Sequence, residues 1–334
     1  MSTTLTLRQT SEIKYSSRPP VAGRDRLQIK TILVPLDFSA ASMQALDYAI
    51  PFAEQFHSAM HLLYVHERDD EFSPCGDVSH LLFESAEART QLRRPLAHLQ
   101  REHALPFRAA DCHVQFGRAP RKACELARKL EADLIVVASR GRTGLPRILL
   151  GSTAERIVRQ APCPVLVARQ REAELDLSEV RRREYPIRNI LVPVDFSDLS
   201  IKAIEYAADL AKAFSARLHL FHASFPHGYF VADRNVHDPA TIRRAEMTAA
   251  RGQIEKIARS ERLGGVRCET AVRSGYPIRE ICGAIARAKA DLVVTASHGL
   301  SGLKHAVLGS VAEHIIRYAE CPVLVLPRAS RAMN

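Results

Sequence analysis

The sequence predicts an α/β protein of two tandem doubly wound domains, each a five-stranded parallel sheet covered by helices on both faces. Three observations carry that prediction. Every landmark of the first half recurs 158 residues later: Asp37 as Asp195, Gly117 as Gly275, Gly141 as Gly299, Gly151 as Gly309, and Cys163-Pro164 as Cys321-Pro322. A constant offset leaves no net insertion between the anchors, so the copies present equivalent loops and each serves as the other's comparison. Short apolar runs rich in branched residues alternate with helical stretches, the pattern of right-handed βαβ crossovers. Finally, 334 residues suffice for two ordinary domains, each able to bury its own core.

The elements follow in order. Each copy opens with a run suited to a buried parallel strand, Thr31 to Leu36 and Asn189 to Val194, with Asp37 or Asp195 at its carboxyl end. Ser39 and Ser197 are placed to cap the next helix. In the first copy its apolar stripe runs Leu46, Ala49, Ile50, Ala53 and Phe56 at helical spacing, and Pro51 is expected to kink it. A second strand is predicted over His61 to Val65 and His219 to Ala223. A loop that differs between the copies follows, then a charged helix, between Ser79 and His103 or between Pro239 and Arg262.

A third strand ends at Gly117 or Gly275, a helix starts near Pro120 or Pro277, and the fourth strand covers Asp133 to Ala138 or Asp291 to Ala296. The last strands are Pro164 to Val167 and Pro322 to Val325. The resulting division is a polar tail over 1–27, domains over 28–169 and 187–328, and a charged linker over 170–186. Ligands of such Rossmann-like sheets sit beyond the carboxyl ends of the strands.

Composition excludes several classes. The segment before Ile29 lacks the apolar run of a secretory signal or a membrane span, and seven cysteines, an odd number, fit a reducing compartment. The expected location is therefore cytoplasmic, with no membrane partner. The net charge of +10 is dispersed, densest at Arg181-Arg182-Arg183, and lacks the interleaved aromatics of a nucleic-acid surface, which disfavours nucleic acid. His219 and His222 lie three apart on a strand, on opposite faces, and there is no Cys-x-x-Cys, so no metal site is expected. No nucleophile has a base supplied by its sequence context, which argues against an enzyme beyond slow incidental hydrolysis.

Chemistry concentrates after the fourth strand, in Ala138-Ser139-Arg140-Gly141-Arg142-Thr143-Gly144 through Arg147 to Gly151-Ser152. The second copy runs Ala296-Ser297-His298-Gly299 through Lys304 to Gly309-Ser310. Gly151 and Ser152 stand where a helix running Thr153 to Gln160 begins, so its amides and positive dipole end suit an anion. Glycines let those amides approach oxygens, and Arg140, Arg142 and Arg147 add charge suited to phosphate. Tight packing of the helix on the sheet is the plainer explanation of the glycines, as helix capping is of the aspartates.

Two glycines with nine residues between them, the second followed by serine, between a Val-Asp-Phe-Ser opening and a Cys-Pro-Val-Leu-Val ending, resemble the universal stress protein family. The resemblance extends through both copies. It implies a cytoplasmic, nucleotide-responsive stress regulator with an ATP site, ATP possibly accompanied by Mg2+, and a protein partner that the sequence does not name. The implied contacts in the first copy are Asp37, Val65, Ala138, Gly141, Arg142, Gly151, Ser152 and Thr153. In the second they are Asp195, Ala223, Ala296, Gly299, Gly309, Ser310 and Val311, with Val65 and Ala223 toward the base. It also implies pairing of the two copies through their last strands as a built-in dimer, with further association of whole chains.

One departure is Ala138, and equivalently Ala296, where the family's ATP motif begins with glycine. The extra methyl either crowds the ribose or is tolerated, depending on where it points. The alternative is the family branch that holds no nucleotide and acts as a protein-interaction scaffold.

Overall fold

The structure, a computed structural model, describes residues 27–66, 111–139, 150–169, 186–225, 239–298 and 308–328. The first copy supplies β1 (Thr31–Leu36), α1 (Ala40–Phe56), β2 (Ala59–His66), β3 (Cys112–Phe116), α2 (Ala119–Lys129), β4 (Leu134–Ala138), α3 (Ser152–Gln160) and β5 (Val165–Ala168). The second supplies β6 (Asn189–Pro193), α4 (Asp198–Phe214), β7 (Arg217–Ser224), α5 (Pro239–Ala258), β8 (Cys268–Ser274), α6 (Pro277–Ala288), β9 (Leu292–Ala296), α7 (Ser310–Tyr318) and β10 (Val323–Leu326). The charged helix expected between Ser79 and His103 lies outside the described residues, as does the linker up to residue 185.

Local chemistry explains the boundaries. Ser39 and Ser197 cap α1 and α4, each side-chain oxygen accepting the amide of the residue three further on. Pro51 falls inside α1, which continues through it. Pro120 and Pro277 occupy the first turns of α2 and α6, where no amide partner is missed. The charged helix α5 stops at Ala258 rather than near Arg262, because the Ser260 hydroxyl donates to the Ile257 carbonyl at 2.7 Å and a short 3-10 turn follows.

The strands form one ten-stranded sheet in the order β3-β2-β1-β4-β5-β10-β9-β6-β7-β8. Within each copy all neighbours are parallel. At the centre β10 runs antiparallel to β5, with Val323 opposite Val167, Leu324 opposite Leu166 and Val325 opposite Val165. The expected pairing of the last strands inside one chain is thus present. It explains why both strands are buried along their whole length, since neither is an edge.

Apolar side chains form two cores, one on each face of the sheet, and each contains residues of both copies. One face joins α1 and α4, where Phe52 and Phe214 meet edge to face with ring centroids 5.2 Å apart and Phe56 closes the group at 6.0 Å from Phe214. The other face takes α2, α3, α6 and α7. Continuing the sheet across the seam makes each face one continuous apolar surface, which a single layer of helices from both copies covers.

Candidate functional site

In each half the strand order reverses between the first strand and the fourth, so the switch-point crevice lies between β1 and β4, and between β6 and β9. The ladder there is short. β1 and β4 pair only at Ile32 with Leu134 and Leu33 with Ile135, whereas β1 and β2 pair at six positions. β6 and β9 repeat this, with Ile190 opposite Leu292 and Leu191 opposite Val293. The register therefore stops before the carboxyl ends, where Asp37 and Ala138, or Asp195 and Ala296, follow or finish the strands.

Asp37 opens a tight turn in which its Oδ1 accepts the Ser39 amide at 2.9 Å. Asp195 does the same with the Ser197 amide at 3.0 Å and also accepts the Ser197 hydroxyl at 2.7 Å. Between each aspartate and serine a phenylalanine takes the left-handed conformation, Phe38 at φ 60° and Phe196 at φ 65°. A bulky side chain rarely adopts that conformation, and its recurrence in both copies marks a turn held by its surroundings. Phe38 packs on Tyr64 and Phe196 on His222, whose Nδ1 lies 2.7 Å from the Val194 carbonyl. Burial lowers the pKa of His222, which favours the neutral ring beside Asp195.

Opposite the aspartates stand the helix starts. Gly151 and Gly309 are N-caps of α3 and α7 and bring no side-chain hydrogen bond to the helix. Their own amides donate to the Ser139 and Ser297 carbonyls at 2.8 Å, which ties each helix start to the end of the fourth strand. The first intrahelical bond returns from Glu155 to Gly151 and from Glu313 to Gly309, so the amides of Ser152 and Thr153, or Ser310 and Val311, belong to the unbonded first turn. The helices begin one residue earlier than expected, at Ser152 and Ser310 rather than one position on.

The remaining predicted contacts sort cleanly. Val65 and Ala223 sit one residue before the ends of β2 and β7. Ala138 is buried in the core on the α1 face, the face opposite α3, so its methyl is absorbed by packing there. Gly141, Arg142 and Gly299 lie outside the described residues, together with Arg140, Arg147 and Lys304. Sequence reading missed the left-handed phenylalanines and the buried Ser139 and Ser297, although the constant offset pairs both sets.

It also missed Asp133 and Asp291. These carboxylates accept two backbone amides each, from Lys30 and Thr31 and from Arg188 and Asn189, and pin the amino ends of β1 and β6 beside the fourth strands.

With this geometry in place, comparison with known proteins decides the family. The profile described as the Universal stress protein family matches the chain twice, over residues 28–169 and 186–327. The chain belongs to the universal stress protein family. A universal stress protein of Methanocaldococcus jannaschii is 31% identical over 156 residues, 46% of this chain and 90% of that protein. One of Mycobacterium tuberculosis is 32% identical over 196 residues, 58% of this chain and 62% of its own length. The crystal structure of a universal stress protein from Archaeoglobus fulgidus superposes with a TM-score of 0.60 at 22% identity, over 90% of this chain and 99% of that one, and shares the fold.

Among the described residues no group of three or more His, Cys, Asp or Glu side chains is arranged to hold a metal ion, and no helix is long and apolar enough to cross a membrane. His219 lies 3.3 Å from the Asn189 side chain and 3.4 Å from Glu269, while His222 faces the Val194 carbonyl. A cavity of about 650 Å³ lies against α5 and the outer strand β8, and none of its lining residues belongs to β6, β9 or α7.

Proposed function

We propose that this universal stress protein binds an adenine nucleotide, ATP with Mg2+ as its counter-ion, at the two switch-point crevices and acts as a nucleotide-responsive regulator in the stress response. One observation carries the reading. In both copies the ladder between the first and fourth strands stops short of the carboxyl ends, and a helix start with a glycine cap stands beside the gap. Unbonded amides there suit phosphate oxygens, and the dipole adds to the attraction. Asp37 and Asp195 are the acceptors for the adenosine portion. Placement of the Ala138 methyl in the core supports tolerance of alanine at the family's glycine position.

The chain reads as a binding protein rather than an enzyme, placed in the cytoplasm, with ligand occupancy changing the surface offered to a protein partner. Whole chains associate further in this reading. A second reading has its own observation: Asp37 and Asp195 already cap their own turns and the Gly151 and Gly309 amides already meet carbonyls, as in a scaffold that holds no nucleotide.

Mass spectrometry of gently purified protein separates the two readings. Co-purified adenine nucleotide, and saturable heat on ATP titration that falls in Asp37→Ala and Asp195→Ala, support binding. Empty preparations that show no thermal shift with ATP and magnesium refute it.

A further inference from the structure

The outer wall of the second crevice carries two exposed aromatic residues. Phe225, just past β7, is 43% exposed, and Tyr276, the residue capping α6, is 61% exposed. Their rings stand edge to face with centroids 6.0 Å apart. Phe221 and Ala223 precede Phe225 at alternate positions and pack on the face that holds α6 and α7. The pair therefore continues that face beyond the strand ends, the end at which α7 begins with Gly309 and Ser310. The constant offset places Glu67 and Arg118 at the corresponding positions of the first copy.

Two large rings braced edge to face, at 81°, and both open to water present a ring face suited to a flat heteroaromatic base, with the second ring as a wall beside it. Of the parts of a nucleotide, the base offers a ring face the largest flat overlap, while the phosphate anion is repelled by it.

We propose that Phe225 and Tyr276 stack on the purine base, so that the second copy adds a ring contact to the base that Glu67 and Arg118, at the corresponding positions of the first copy, do not supply. This rests on the nucleotide-binding reading and adds to it an order of affinity, second copy above first.

The test uses the full chain. Replacing the pair with the first copy's residues, Phe225→Glu with Tyr276→Arg, is expected to weaken the tighter of the two ATP binding steps about ten-fold or more, as loss of base stacking does. Affinity for inorganic tripolyphosphate, a probe without a base, stays within about two-fold, because the added Glu and Arg nearly cancel in charge. The chain contains no Trp, so Tyr276→Trp supplies a single reporter whose emission ATP quenches and tripolyphosphate does not. Tyr318→Trp, at a residue 45% exposed on α7, stays unquenched and serves as control.

Wild-type protein that binds ATP while the double variant keeps its affinity, or loses both probes alike, overturns the stacking and leaves nucleotide binding intact. Wild-type protein that binds neither probe overturns the underlying reading, and the stacking with it. All three variants alter exposed side chains, and circular dichroism confirms that each keeps the wild-type fold before binding is measured.

Discussion

The aromatic group between α1 and α4 gives the sharpest test of the shared core. Phe52 is 2% exposed and meets Phe214 of the other copy at 5.2 Å and 64°, an edge-to-face geometry. Phe52→Ala is expected to cost about 3–5 kcal/mol, the range for removing a buried phenylalanine. Phe214 is only partly buried, so Phe214→Ala costs about half of that on the same basis. The two rings together are worth about 1 kcal/mol beyond their separate burial, so the double variant loses about 1 kcal/mol less than the sum of the single losses. Urea unfolding followed by far-ultraviolet circular dichroism measures all four proteins, and because each core draws on both copies a single transition is expected throughout. Single losses that add within about 0.3 kcal/mol refute the contact. Two separate transitions in the unmutated protein refute the shared core itself.

Three other expectations follow from described contacts. Burial lowers the pKa of His113, His219 and His222 below 6.5 in the folded protein. Below pH 6.5 the unfolded chain binds protons that the folded one refuses, so stability falls as pH drops through that value and is regained above it. Urea midpoints at pH 5.5 and 7.5 check the direction, and His222→Gln should shrink the difference. Burial raises the thiol of Cys163 and pushes Cys124 up to about 11 and Cys321 up to about 12. Brief alkylation at pH 8 followed by peptide mapping should leave these three unmodified until denaturant is added. Asp133→Ala removes an acceptor from two amides, at 2.7 and 3.0 Å, one of them on an exposed residue. The expected loss is about 1–2 kcal/mol, and Asp133→Asn should restore part of it in the same urea assay.

Most of the fold was legible because its signals are local. The run Thr31 to Leu36 is buried and branched enough to be read as a strand without tertiary context, and the structure gives it the same limits. The serine caps and first-turn prolines are likewise properties of a few neighbouring residues. Short strands such as Val165–Ala168 were found but shifted by one position, since the alternation that would fix a boundary is missing when both faces are buried.

What the sequence left open depends on neighbours far apart in the chain. That Val165 to Ala168 and Val323 to Leu326 are central rather than edge strands follows only once they pair with each other. That each face carries one core shared by both copies follows from the same pairing. At the candidate site, Asp37 and the helix starts were readable as residue types at a strand end and a glycine stop. The early end of the β1–β4 ladder was not, because register is set by the twist and packing of the assembled sheet. The ring pair Phe225 and Tyr276 was missed for a related reason: the two residues are 51 positions apart and meet only across adjacent strand ends.

Because β5 and β10 meet head to tail, the carboxyl ends of β1 and β4 point one way and those of β6 and β9 the other. The two crevices open at opposite poles of the molecule. An occupant of one has no line of contact with an occupant of the other, and any communication between them has to travel through the packed interior. Each mouth thereby faces solvent on its own side of the shared sheet.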